Sequence, residues 1–161
     1  MDNLTHYKFR SVWTVDATAA DVFDVLRDIA TYPAWWPEIK QARRIDDDRV
    51  EVRVRSVLPY DLWFEMKQTT ADAEAGVLEV ALKGELEGFS RFTIVGSDTS
   101  STILIFEEEV DTHKETLNRL APVARPAFKA NHALMMRHGE TGLRSFLAGM
   151  GFAREKASAQ S

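Results

Sequence analysis

Residues 15–39 read VDATAADVFDVLRDIATYPAWWPEI, and the hydrophobic period changes twice within them. Val15 ends an alternating run. From Thr18 onward Val22, Phe23, Leu26 and Ile29 recur at helical spacing, which predicts an amphipathic helix to about Asp28. Thr18, three residues before Asp21, is placed to cap it. The piece TYPAWWPEI follows, in which Pro33 fits a first helical turn and Pro37 can end it, so it reads as a second, brief helix.

Working toward the N-terminus, residues 6–16 alternate. Tyr7, Phe9, Ser11, Trp13 and Val15 share one face and Lys8, Arg10 and Thr14 the other, the period of a strand with one buried side. Working toward the C-terminus, residues 39–111 read as strand after strand. Val50, Val52 and Val54 oppose Glu51, Arg53 and Arg55; Leu62, Phe64 and Met66 oppose Trp63, Glu65 and Lys67. A turn at Ala75 and Gly76 precedes Leu78, Val80 and Leu82. Gly84 and Gly88 bracket the next expected turn, and the loop GSDTSS leads into TILIFEEEV. Short strands separated by turn residues predict an antiparallel meander with one polar face.

After Thr112 the period is helical again to about Met150. Pro122 and Pro126 are expected to break its start, so the unbroken helix is read from about Pro126. Phe128, His132, Met135, Met136, Gly139, Gly142, Leu143, Phe146 and Met150 fall on one face. Residues 1–153 then form one domain, and the tail REKASAQS, from Arg154, lacks apolar periodicity and is expected to fray.

The 161 residues carry 20 Lys and Arg against 25 Asp and Glu, for a net charge of -5. That balance argues against nucleic acid, whose binders present a basic surface. There are no cysteines, which excludes disulfides, zinc-thiolate sites and a cysteine nucleophile and fits a reducing cytoplasm. No apolar run reaches membrane-spanning length, and the polar start MDNLTHYKFR is not expected to act as a signal peptide. The sequence contains no G-x-S-x-G, no H-E-x-x-H and no phosphate-cradling glycine loop. His132 and His138, six apart, diverge on a helix, while His6 and His113 stand at element ends, so no metal site is expected. Nothing in the chain implies a cofactor.

The order of strand, two short helices, six strands and a long helix resembles the helix-grip fold of the START-related superfamily. That superfamily includes polyketide cyclase/dehydrase-like and coenzyme Q-binding proteins. The resemblance covers residues 6–150 and is densest at Ala19, Ala20, Val22, Phe23, Asp28, Tyr32, Pro33, Trp35, Trp36 and Pro37. It implies an α+β domain, a seven-stranded curved antiparallel sheet wrapped around the C-terminal helix. A space between sheet and helix is the default place for an apolar ligand. The superfamily holds carriers, cyclases, hydrolases and chaperone activators, so activity has to be argued from a site.

Inward parity and the helix stripe together give the expected ligand-binding set: Trp35, Trp36, Phe64, Met66, Phe92, His132, Met135 and Met136. Adjacent tryptophans on a short helix should not both point inward; one is expected in the core and the other at the cavity entrance. The methionines would add adaptable lining. His132, mid-stripe, is either a core histidine bonded to a neighbour or a cavity group that orients a ligand or exchanges a proton. Alternation puts at least one of Glu107, Glu108 and Glu109 inward, but residues 103–106 are apolar on both faces and leave the parity open. Glu107 stands with His132 as the candidate acid–base pair. Gly139 and Gly142 cost the helix about 1 kcal/mol each, offset by close packing against the sheet or by room for a ligand.

Three functions fit. The first is binding of a hydrophobic small molecule, whether lipid, quinone, aromatic or polyketide-like. The second is a polyketide cyclase/aromatase-type enzyme using cavity His and Glu. The third is an interaction module docking through exposed Trp63. A lining rich in Leu, Val, Phe and Met and poor in charge favours binding.

Overall fold

The computed structural model describes residues 4–96, 101–119 and 121–160, with the side chains of residues 152 and 153 excepted. Most of the loop expected at GSDTSS lies outside the described residues.

Seven strands form one antiparallel sheet: β1 (His6–Val15), β2 (Ile39–Arg44), β3 (Arg49–Arg55), β4 (Asp61–Asp72), β5 (Val77–Gly84), β6 (Leu86–Gly96) and β7 (Thr102–Thr112). Their lateral order is β1-β7-β6-β5-β4-β3-β2, so the first strand closes against the last and β2 ends the other edge. Helix α1 (Ala19–Arg27) and a 3-10 helix (Ile29–Ala34) connect β1 to β2; α2 (Glu115–Arg119) and α3 (Ala121–Ala159) follow the sheet. This is the helix-grip arrangement that the quoted stretch predicts. Thr18 caps α1 as its spacing requires, accepting from the Asp21 amide at 3.2 Å.

One sheet face carries the core. Tyr7, Trp13, Val15, Val52, Phe64, Leu78, Phe92, Leu104, Phe106 and Val110 are all buried, each at the inward parity of its strand. The face of α3 that meets them carries buried Phe128, Met136, Leu143 and Leu147. Burying one such side chain stabilises by about 1.5–3 kcal/mol, which is why the alternation dictates the register. Of the expected core, Met66, Val80, Met135 and Phe146 are only partly buried.

The structure corrects three boundaries and the type of one helix. The helix begins at Ala121, with Pro122 in its first turn and Pro126 inside it. A first-turn proline gives up no helical hydrogen bond, and a single missing donor further on is absorbed by a long packed helix. The C-terminal end runs to Ala159 rather than fraying from Arg154; Arg154 itself donates to both carboxylate oxygens of Asp21 at 3.0 Å. The turn between β5 and β6 is Glu85 alone, and Gly88 lies inside β6. Its φ is +151°, and a Cβ there would overlap the Glu109 carbonyl of β7. The second brief helix is of the 3-10 type and contains Pro33.

Helix α3 is seated by the tryptophan segment. The Trp36 indole donates to the Met135 carbonyl at 2.9 Å, and the Glu38 carboxylate meets His138. A Cβ on Gly139 would lie 2.7 Å from the Trp36 ring, and one on Gly142 would overlap the Trp35 carbonyl oxygen. Both glycines therefore serve close packing, which offsets their helical cost.

Candidate functional site

Between α3 and the sheet lies a cavity of about 100 Å³. Leu26, Ile29, Tyr32 and Trp36 close it from the helical connection; Phe128, His132, Met135 and Met136 close it from α3. The sheet supplies the rest, and successive rows across it differ in character. Leu78, Phe92 and Phe106 lie opposite one another in one row. Met66, Leu82, Gly88, Val110 and Tyr7 form another.

The row between them is Gln68, Val80, Ser90, Glu108 and Phe9, crossing β4, β5, β6, β7 and β1. It contains every polar side chain that the sheet contributes to the lining. The Ser90 hydroxyl donates to Glu108 Oε2 at 2.6 Å, a length typical of a hydrogen bond to a carboxylate. Above the row hangs His132, its Nε2 at 3.4 Å from Glu108 Oε1. The side chains of His132 and Glu108 are only 13% and 12% exposed. The imidazole stacks on Phe9 with ring centres 3.6 Å apart and planes within 8°. A histidine and a carboxylate thus meet inside an otherwise apolar chamber. Such a pair, held by a serine and an aromatic ring, can orient a polar group or pass a proton to it.

The tyrosine in the lining is occupied structurally. Tyr32 donates to the Leu26 carbonyl at 2.6 Å, and burial pushes its hydroxyl well above the ordinary tyrosine range. Tyr60, before β4, is likewise pushed up to about 12, mainly by burial. Among the described residues no three His, Asp or Glu side chains gather in a way that could hold a metal ion.

Phe64, Met66, Phe92, His132, Met135, Met136 and Trp36 all line the cavity. Trp35 does not line it, and the expectation that one tryptophan sits at an entrance needs correction. Both indoles are buried, stacked 5.4 Å apart at 20°. Trp35 follows the last residue of the 3-10 helix with φ -132° and ψ -15°, so the pair escapes the 100° divergence of a regular helix. Glu107 is corrected too. It sits on the outer sheet face, its side chain 43% exposed and 3.8 Å from Arg91, and the inward acid is Glu108. Trp63 is also outward, with the Arg53 guanidinium 5.7 Å from its ring centre.

Sequence reasoning missed Gln68 and Ser90 and left Glu108 as one of three open choices, although a signal for each was present. Gln68 extends the parity of Leu62, Phe64 and Met66, and Ser90 shares parity with Phe92. Val110, the apolar residue that follows the glutamate run, shares parity with Glu108 and Phe106.

Comparison with known proteins places this geometry among relatives. A family model described as polyketide cyclase/dehydrase and lipid transport matches residues 6–143. The Zhui aromatase/cyclase from a Streptomyces species superposes with a TM-score of 0.76 at 15% identity, covering 89% of this chain and 94% of that one. A START superfamily protein from Mycobacterium smegmatis gives 0.72 at 19% identity, covering 89% and 98%. Norcoclaurine synthase from Thalictrum flavum gives 0.55 at 16% identity, covering 83% and 96%. No curated protein matches the chain in sequence.

Proposed function

The chain belongs to the family of polyketide cyclases/dehydrases and lipid-transport proteins, and from that premise we propose that it binds a hydrophobic small molecule between α3 and the sheet. The observation that carries this reading is the cavity itself. Its lining is apolar or aromatic except for Gln68, Ser90, Glu108, His132 and the already bonded Tyr32 hydroxyl. Removing apolar ligand surface from water drives binding at about 25 cal/mol per Å², and a few polar groups fix orientation. A lipid, a quinone or an aromatic polyketide-like molecule all satisfy that demand.

The test is a titration with Nile red, a neutral fluorescent apolar probe. Wild type should bind it with a blue-shifted, enhanced emission. Val80→Phe, which fills the cavity from the middle of the sheet, should lose most of that binding while circular dichroism stays unchanged. Undiminished binding in the filled variant would remove the cavity from the account.

The meeting of His132 and Glu108 favours a second reading, acid–base catalysis of the cyclase or aromatase kind. His132 would take a proton from carbon beside a bound ketone, and Glu108 would hold the resulting imidazolium. On that reading His132→Ala and Glu108→Gln lower turnover of an aromatic polyketide mimic by roughly 10²- to 10⁴-fold and leave Nile red affinity nearly unchanged. Turnover that is equal in wild type and both variants would leave binding alone.

A further inference from the structure

The charge of the cavity and one under-used acceptor inside it narrow the ligand class. Among the described residues that line the chamber, none is Lys or Arg, and the charged carboxylate there is Glu108. Glu108 Oε2 receives the Ser90 hydroxyl at 2.6 Å. Among the described residues the polar partner of Oε1 is the His132 Nε2 at 3.4 Å, longer than a good N–H to oxygen hydrogen bond. An acceptor on a side chain only 12% exposed gains from a donor that the ligand brings with it. A ligand carboxylate or phosphate brings none, and it would sit beside an existing negative charge with no fixed cation to offset it. His132, the chamber's histidine, turns its Nε2 to Glu108, so a positive charge on it would already be matched.

We infer that the cavity selects an uncharged ligand bearing a ring hydroxyl or enol, with its O–H donated to Glu108 Oε1, and discriminates against fatty acids and other anionic lipids. The aromatic neighbours support a ring at this place: Phe9 stacks on His132, and Phe106 lies 6.2 Å from it, centre to centre. The inference rests on the binding reading above and adds the polarity of what is bound. Discrimination of this kind works through an element repulsive to the wrong ligand as much as through attraction to the right one.

Competition against Nile red tests it with three probes on one ring system: naphthalene, 1-naphthol and 1-naphthoate at neutral pH. Naphthol should displace the dye at least about tenfold more effectively than naphthoate. Any apolar chamber disfavours a carboxylate to some degree, so the deciding quantity is how that ratio changes on substitution. In Glu108→Gln the ratio should fall by about tenfold, whereas Glu107→Gln, one residue away on the outer face, should leave it as in wild type. Glu108→Leu serves the same purpose if the Gln variant does not fold. Naphthoate competing as well as naphthol in wild type, or a ratio unmoved by the Glu108 substitutions, would overturn the assignment while the binding reading stands. Failure of wild type to bind Nile red or naphthalene would defeat the binding reading itself, and this inference with it.

Discussion

Glu107, Glu108 and Glu109 are three consecutive glutamates in one strand, yet they live in two environments. Glu107 and Glu109 face outward into a lattice of exposed charge, the first near Arg91 and the second near His6 and Lys8. Glu108 faces inward, where a serine and a histidine replace water as its partners. Identical chemistry therefore meets water on one side of the sheet and lines the cavity on the other. A one-residue step decides which, because the strand period is two.

The same contrast of faces runs along α3 and yields the largest expected effect. Gly142 faces the Trp35 carbonyl at overlap distance for a Cβ, whereas a Cβ on Gly149 would meet nothing within 4 Å. Gly142→Ala should cost about 3 kcal/mol or more through forced backbone movement, and Gly149→Ala should stabilise by roughly 0.5–1 kcal/mol. Urea unfolding of both variants checks the pair. Equal shifts would mean that the helix is not seated as described.

On the sheet, Ser90→Ala should destabilise by about 1.5–3 kcal/mol, the usual worth of a hydrogen bond to a charged group. It should also loosen Glu108 and so weaken binding of 1-naphthol. Chemical denaturation beside a Nile red competition separates the two effects.

His6 tests the outer face through pH. It bridges Asp111 at 3.0 Å and Glu109 at 2.9 Å, and the hydrogen bond to Asp111, helped by Glu109, raises its pKa above the ordinary 6.5. The folded state thus binds the proton more tightly than the unfolded chain. The contribution is fully present below about pH 6.5 and is lost as pH rises through the raised value. The melting-temperature gap between wild type and His6→Asn should accordingly shrink as pH rises from about 6.5 into the alkaline range. A gap constant across that range would contradict the charged bridge. Smallest of all, Glu107→Gln should shift stability by less than about 0.5 kcal/mol, as exposed pairs do.

Much of this architecture was legible in the sequence. The alternation of β1, β3 and β4 and the helical stripe of α3 expose their buried faces directly, and the stretch from Val15 through the tryptophans fixes the connection between them. β7 was the hardest strand to read, since Ile103, Leu104, Ile105 and Phe106 are apolar at both parities and leave only Val110 to mark the inward face. Trp35 and Trp36 misled for a different reason. Adjacent side chains diverge on a regular helix, and the chain leaves helical geometry at Trp35. The polar row is a tertiary object: Gln68, Ser90, Glu108 and Phe9 become neighbours only through the registers of four strand pairs.

The central claim is that the inner face encloses a chamber for an apolar molecule. Native mass spectrometry of freshly purified protein tests it most directly, comparing wild type with Val80→Phe after incubation with an excess of 1-naphthol. The account predicts a one-to-one adduct on wild type that is absent from the filled variant. Bare protein mass for both, or equal adducts on both, would contradict it.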